Sequence, residues 1–187
     1  MTELKSSSAA QPIEGFDLGN SPLDYTPDRV FGQTVLFTTT NGTKALAHAR
    51  LAKRTLIGAA INRQAIVDAV ADSPRVDILC AGTNGKVTRE DILAAGAIAS
   101  QLQALHKNCT TNEWIDAACR EWQELLTTAC ALNRTPSKQF AHELRDTLGG
   151  KNLLALGYDD DLPFCAQLDT HNVAPELDHT TGQIKLP

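Results

Sequence analysis

The chain has 187 residues, 42% of them hydrophobic, and its 22 acidic residues outnumber 17 basic ones to give a formal net charge of −5. This composition predicts one globular domain and argues against nucleic acid or a membrane surface as its partner. Five cysteines without a CxxC pair indicate neither a disulfide framework nor a zinc cluster, and no apolar segment has the length of a membrane span or a signal peptide. We therefore expect a cytoplasmic protein.

The first residues are predicted to lie outside the fold. Residues 1–12 are rich in Ser and small residues, which predicts a disordered lead-in, and residues 13–187 are predicted to form a single domain. In residues 15–22, two glycines and a proline predict an irregular loop that brings Asn20 and Ser21 together. A plain surface loop is the alternative interpretation of this segment.

From Gln33 onward, strand and helix patterns alternate. Short runs of bulky apolar residues predict strands, and apolar residues spaced by three and four positions predict helices. Three such units predict an α/β fold: a largely parallel sheet with helices on both faces in a βαβαβα core. The predicted strands are 33–37, 54–59 and 76–80, and the helices that follow them are 42–52, 64–71 and 88–106.

Further helices and a small β tail are predicted after residue 107. Gly96, inside the preceding helix, predicts close packing against the sheet. The acids Asp159 to Asp161 are predicted to lie in a solvated loop or helix start rather than to bind a metal. The predicted elements are helices 112–132 and 137–148, a turn or short helix at 151–157, a strand at 162–168, and a hairpin of 172–177 with 183–186.

Ligands of parallel α/β sheets bind at the carboxyl ends of the strands. In this chain those ends are the loops 38–43, 60–63 and 81–88, which contain small, hydroxylated, amide and basic residues. The first loop turns from a strand into a helix and exposes backbone N–H groups to an anion. The sequence therefore predicts a phosphate site, while Asn-Gly turns and Thr or Asn helix caps explain the same loop without a ligand.

The third loop, residues 80–86, supports two sharper hypotheses. It fails as a Walker A loop because Cys80 stands where the first glycine is required and Val87 where a Ser or Thr is required. It also resembles the loop of cysteine-dependent phosphatases, but Lys86 replaces the arginine whose planar guanidinium group binds phosphate through two hydrogen bonds. Cys80 is thus an alternative nucleophile or, more simply, a small strand-end residue.

Glu90 and Asp91 follow Thr88 at the start of the predicted helix 88–106. Carboxylates in a first helical turn favour the helix dipole, which explains them without a ligand. The alternative is that they hold a hard cation such as Mg²⁺ through oxygen.

Together these motifs resemble the ComB family of 2-phosphosulfolactate phosphatases. Their order and approximate spacing agree over roughly residues 15–186. The matching stretches are residues 15–22, residues 37–43, residues 80–83 with Glu90, Asp91 and residues 95–97, and residues 150–161 with 182–184.

This resemblance implies a Mg²⁺-dependent phosphatase that hydrolyses (R)-2-phospho-3-sulfolactate to (R)-3-sulfolactate and phosphate, a step on the route to coenzyme M. It implies that Asn41, Glu90 and Asp91 are catalytic, with both carboxylates holding Mg²⁺. Arg63, Lys86 and Arg89 are the basic residues expected near the sulfonate and carboxylate. The implied substrate-binding residues are Asn20, Ser21, Thr39, Thr40, Asn41, Gly42, Thr43, Cys80, Gly82 and Thr83.

Members of the family carry a further segment ahead of residues 15–22, with an opening strand and a Gly-Glu-Arg element that residues 1–14 lack. We therefore expect an N-terminally shortened domain whose partner is a small anionic phosphoester, and homo-oligomerisation stays open. The alternatives are a degenerate, non-catalytic relative that binds a phosphorylated or sulfonated small acid, and a thiol phosphatase built on Cys80.

Overall fold

A computed structural model describes residues 3–7 and 14–186 of the chain. Short 3₁₀ turns at Pro22–Asp24, Ala49–Leu51 and Ala60–Asn62 supplement the regular elements. The described strands are β1 (Glu3–Ser7), β2 (Thr34–Thr38), β3 (Glu176–Leu177) and β4 (Ile184–Lys185). The described helices are α1 (Pro27–Val30), α2 (Gly42–His48), α3 (Arg63–Val70), α4 (Arg89–Leu105), α5 (Glu113–Ala131), α6 (Pro136–Leu144), α7 (Leu148–Ala155) and α8 (Asp161–Cys165).

Helices α4 and α5 pack directly against each other at the centre of the fold. At Gly96 of α4, an added Cβ would collide with the backbone carbonyl of Ala118 on α5. Only glycine therefore allows this approach, and its cost to helix propensity is offset by packing. The sequence correctly predicted close packing here, but the partner is a helix and not the sheet.

The main hydrophobic core joins α4, α5, α6 and α8. Trp122 of α5 is 2% exposed, and its ring meets Phe140 of α6 edge-on with 5.7 Å between ring centroids. Leu93 of α4 is fully buried, and Leu162 of α8 closes the cluster. A second cluster of Ile66, Val67, Ile98 and Ala174 joins α3 to α4 and to the C-terminal tail.

The described strands form two small sheets. Strand β1 pairs in parallel with β2, from Glu3 opposite Thr34 to Ser7 opposite Thr38, and β3 pairs antiparallel with β4. The mixed α/β class is thus confirmed, and so is the β hairpin of the tail. The parallel pair involves β1, which the sequence did not predict as a strand.

A continuous parallel sheet with helices on both faces is not formed by the described residues. The C-terminal tail forms backbone hydrogen bonds with residues 55–57. Ile57 N donates to Pro175 O, and Leu177 N donates to Thr55 O. Residues 76–80 form no strand, and Leu79 is 56% exposed. The predicted strands 54–59 and 76–80 were therefore wrong as partners in one sheet, because strand pairing depends on neighbours that a local pattern does not specify.

Two predictions of local structure also need correction. Residues 3–7 form a strand, so the predicted disorder of residues 1–12 is wrong there, and the rest of that segment lies outside the described residues. The predicted strand 162–168 is instead helix α8. Leu162 and Ala166, four residues apart, are both buried, and Pro163 lies in the first turn, where a helix tolerates proline.

None of the helices within residues 14–186 combines the length and hydropathy that a bilayer-spanning segment requires.

Candidate active site

Two of the three predicted strand-end loops contact each other. The backbone N–H of Asn84 donates to Asn41 Oδ1 over 3.2 Å. Asn84 and Gly85 have φ angles of 54° and 73°, and two hydrogen bonds of 3.0 Å between Thr83 and Lys86 close the turn around them. Positive φ at both central residues defines a type I′ turn, for which Asn-Gly is a preferred sequence. That signal was present in the sequence but was interpreted only as part of a loop.

The first loop is ordered by its own threonines. Thr43 N donates to Thr39 Oγ1 over 3.2 Å, and the Thr43 hydroxyl donates to the Thr39 carbonyl over 2.5 Å. A side chain at Gly42 would occupy the position of the Thr39 hydroxyl. The Thr39 hydroxyl thus satisfies an N–H group in the first turn of α2, as the alternative without a ligand expects, and Thr40 lies exposed between these residues.

Asp91 connects the third loop to the first turn of α4. Its Oδ2 accepts the Gly82 N–H over 2.6 Å, and the Cys80 thiol donates to the Asp91 backbone carbonyl over 3.7 Å. Burial raises the pKa of Asp91, the Gly82 N–H acts against this, and the charge of Glu90 adds to it. The Thr88 hydroxyl is buried and has no hydrogen-bond partner among the described residues.

Glu90 points toward a different element from Asp91. Its Oε1 accepts the N–H of Gly149, 59 residues away in the first turn of α7, over 3.0 Å. A Cβ at Gly149 would displace this oxygen. Thr147 caps the neighbouring Gly150 N–H over 3.0 Å. The carboxylate thus satisfies the positive end of α7, and this role is visible only in three dimensions.

The carboxylate oxygens of Glu90 and Asp91 are the candidate ligands for Mg²⁺. Glu90 Oε2 is buried and has no hydrogen-bond partner among the described residues. Within that same part of the chain, no three Asp, Glu, His or Cys side chains converge as a metal-binding group. Mg²⁺ commonly binds one or two carboxylates and completes its shell with water and substrate phosphate. Glu90 and Asp91 therefore fit Mg²⁺ by the chemistry of their oxygen atoms, and Glu90 Oε2 is unpartnered, but their hydrogen-bonded oxygens contact different elements.

Ser21 is held by an aspartate that sequence reasoning placed in solvent. The Ser21 hydroxyl donates to Asp161 Oδ1 over 2.6 Å, and both residues are buried, Asp161 at 2% exposure. The predicted helix start is confirmed, because α8 begins at Asp161, but the predicted exposure to solvent is wrong at this residue. Helix α8 packs against residues 22–24, and the Ser21 hydroxyl covers the carboxylate. Asn20 remains exposed. The ring of Tyr25 packs against that of Phe37, with centroids 6.2 Å apart and planes tilted by 54°, which places this region beside the end of β2.

Two of the three expected basic residues are engaged elsewhere. Arg63 pairs with Asp169 over 2.8 Å and lies 5.7 Å from the centre of the Trp122 ring. Arg89 pairs with Glu121 over 3.2 Å and with Glu143 over 2.6 Å, which ties α4 to α5 and α6. Of the three, only Lys86 lies in the turn that contacts Asn41.

The Arg89–Glu143 ion pair should make the unfolding free energy depend on pH in the acid range. Burial tends to raise the pKa of Glu143, but hydrogen bonds from Arg89 and Gln139 outweigh it and hold the pKa below its ordinary value. A carboxyl with a lowered folded-state pKa stabilises the protein above its unfolded pKa, at about pH 4.3, and this stabilisation is lost as the pH falls through the folded pKa. We expect Glu143→Gln to flatten the acid limb of a plot of unfolding free energy against pH. An unchanged acid limb would contradict this role.

A cavity of about 970 Å³ lies away from these loops, at the C-terminal end of α4. Its lining includes Val76, Leu102, His106 and Ile115 and none of the predicted site residues. The candidate site therefore rests on the converging polar groups and not on the size of a cavity.

The fold and these contacts define an α/β protein whose amide-rich and hydroxyl-rich loops lie beside two first-turn carboxylates. The chain belongs to the 2-phosphosulpholactate phosphatase family, whose model matches residues 7–180. This confirms the resemblance drawn from the motifs.

Curated relatives agree with the family model. A probable 2-phosphosulfolactate phosphatase of Caldanaerobacter subterraneus subsp. tengcongensis is 37% identical over 169 residues, 90% of this chain and 65% of the relative. Those of Symbiobacterium thermophilum and Thermotoga maritima are 38% and 32% identical, over 93% and 90% of this chain. The chain spans 65% to 70% of the length of these three relatives.

Proposed function

We propose that the chain is a Mg²⁺-dependent phosphatase that hydrolyses (R)-2-phospho-3-sulfolactate to (R)-3-sulfolactate and phosphate. Its place would be the cytoplasmic route to coenzyme M. Family membership and the names of the relatives support the reaction and the substrate. The observation that carries the proposal is the convergence of two loops beside Asp91: Asn84 N meets Asn41 Oδ1, and Gly82 N meets the Asp91 carboxylate.

The backbone amides of these loops already hold oxygen atoms. Gly82 N–H donates to a carboxylate oxygen and Asn84 N–H to an amide oxygen. These two N–H groups thus hold the side chains of Asp91 and Asn41 in position. The loops would bind the substrate through the hydroxyls of Thr39, Thr40 and Thr43 and through the Asn41 Nδ2 group.

Asn41 has an orientation suited to a donor role. Because its Oδ1 accepts the Asn84 N–H, its Nδ2 group is left to donate to an anion. A donor aimed at a phosphoryl oxygen stabilises the negative charge that accumulates there as the ester bond to phosphorus breaks.

Glu90 and Asp91 would hold Mg²⁺, since both offer carboxylate oxygens at the start of α4. The bound ion would supply positive charge that neutralises the phosphoryl oxygens. A phosphate dianion beside Asp91 would otherwise meet like charge, so Asp91 needs a cation to accept the substrate. Glu90 fixes the position of this turn by its hydrogen bond to α7.

The test measures phosphate release from (R)-2-phospho-3-sulfolactate by the purified chain. We expect release in the presence of Mg²⁺, its loss on adding EDTA, and its recovery when excess Mg²⁺ is restored. A folded sample that releases no phosphate at any Mg²⁺ concentration would contradict the proposal.

A non-catalytic binding relative is the second candidate. It is favoured by the divergence of the two carboxylates, since Glu90 contacts Gly149 and Asp91 contacts Gly82. This candidate predicts that phosphate raises the melting temperature without any turnover of the phosphoester.

The thiol mechanism is disfavoured by the surroundings of Cys80. Although Cys80 is exposed as a residue, desolvation by the surrounding protein, and then the charge of Asp91, raise the pKa of its thiol and oppose the thiolate that a nucleophile requires. Cys80 would then serve only to line the substrate site.

A further inference from the structure

We propose that Asn84 is a site of spontaneous deamidation, and that the carboxylate it produces weakens anion binding by the two contacting loops. The chain has two Asn-Gly pairs, Asn41-Gly42 and Asn84-Gly85, and these are the two asparagines that contact each other. Glycine after asparagine favours deamidation because it leaves the following backbone nitrogen unhindered. The effect on anion binding rests on the proposed function, whereas the modification itself does not.

The reaction needs only water. The backbone nitrogen of Gly85 attacks Cγ of Asn84 and loses its proton, and the side-chain nitrogen leaves as ammonia, which closes a five-membered succinimide. Water then adds to one of the two ring carbonyls. Opening at one gives aspartate, and opening at the other gives isoaspartate, in which the main chain runs through the side-chain carbon.

Asn84 is the more reactive of the two asparagines. It is exposed, and no atom lies within 4 Å of where a Cβ on Gly85 would be. Two hydrogen bonds between Thr83 and Lys86 close its turn. Because only these two bonds must break for the turn to open locally, Asn84 can reach the geometry in which the Gly85 nitrogen attacks its side chain.

Asn41 is held more firmly. Its backbone is helical, with φ −108° and ψ −44°, and its carbonyl accepts the Ala45 N–H at the start of α2. Its side-chain oxygen accepts the Asn84 N–H. Reaction at Asn41 would break these contacts and fray the start of a helix, so it should be slower.

The product acts on the candidate site through charge and geometry. Aspartate at position 84 places a negative charge in the turn that contacts Asn41, and like charges repel an incoming phosphate. Isoaspartate lengthens the main chain within the turn and disrupts the Thr83–Lys86 pairing.

Tryptic peptide mapping separates the two asparagines cleanly. Cleavage after Arg75 and Lys86 yields residues 76–86, with Asn84, and cleavage after Arg29 and Lys44 yields residues 30–44, with Asn41. After incubation of the folded chain at mildly alkaline pH, we expect peptide 76–86 to be converted several-fold faster than peptide 30–44. Equal or slower conversion of peptide 76–86 would overturn the proposed site.

The consequence is tested with inorganic phosphate as the probe. Asn84→Gly is the matched control, because Gly-Gly also favours a type I′ turn and cannot deamidate, and Asn84→Asp reproduces the product in another favoured turn sequence. We expect aged wild type and fresh Asn84→Asp to bind phosphate several-fold more weakly than fresh wild type, and aged Asn84→Gly to match its own fresh sample. Undiminished binding by aged, deamidated wild type would overturn the charge effect. If fresh wild type binds no phosphate, the proposed function and the charge effect both fail. The peptide map still shows, independently of phosphate binding, whether Asn84 deamidates faster than Asn41.

Discussion

The Asp91→Asn variant is expected to lose phosphatase activity by on the order of 100-fold or more in kcat/KM. Its amide oxygen can still accept the Gly82 N–H, so the third loop should keep its position. What the variant loses is the negative charge that would hold Mg²⁺ beside the substrate phosphoryl group. Steady-state kinetics at saturating Mg²⁺ measure the effect, and circular dichroism checks that the fold is intact.

Asp77→Asn provides the matched control for this substitution. Asp77 is exposed and pairs with Arg75, away from the two contacting loops. The same change of charge there should leave kcat/KM within a small factor of wild type. Equal activity of Asp91→Asn and wild type, or equal losses in the two variants, would contradict the assigned role of Asp91.

Replacing Trp122 by alanine is expected to destabilise the fold by roughly 3–5 kcal/mol. The Trp122 side chain is 2% exposed, lies edge-on to Phe140 and lies under the Arg63 guanidinium. Its removal would leave a cavity where α4, α5 and α6 meet. Equilibrium unfolding in urea measures the change in unfolding free energy.

Trp114→Ala is the matched control, since Trp114 lies on the same helix α5 and is 76% exposed. Substitutions of exposed side chains usually change stability by less than about 0.5 kcal/mol. Comparable destabilisation by the two substitutions would show that the core is not centred on Trp122.

The long helices were predictable because their signal is local. Periodic apolar residues and N-terminal caps predicted helices at 88–106 and 112–132, and the structure has Arg89–Leu105 and Glu113–Ala131. The strands were less predictable because a strand is stable only with a partner. Residues 54–59 pair with the tail instead of a neighbouring parallel strand, a choice that depends on residues more than 100 positions away.

Some contacts of the candidate site could also be predicted from the sequence, and others could not. The sequence predicted that the first and third loops meet, and they do so through Asn84 and Asn41. The reason given for the meeting was wrong, because residues 76–80 form no strand that would place the third loop at the edge of a sheet. The second loop differs, because Asn62 is buried and Arg63 is paired with Asp169. The contact of Ser21 with Asp161 spans 140 residues of sequence, and no local sequence pattern predicts a contact over that separation.

The central claim is that the loops 38–43 and 80–86 together form one anion site. It is tested most directly by titrating the ¹⁵N-labelled chain with inorganic phosphate in the presence of Mg²⁺ and following the backbone amide resonances. We predict that the amides of Thr39 to Thr43 and of Gly82 to Asn84 shift together and saturate with a single dissociation constant. Shifts confined to one loop, or centred on residues elsewhere in the fold, would contradict the account.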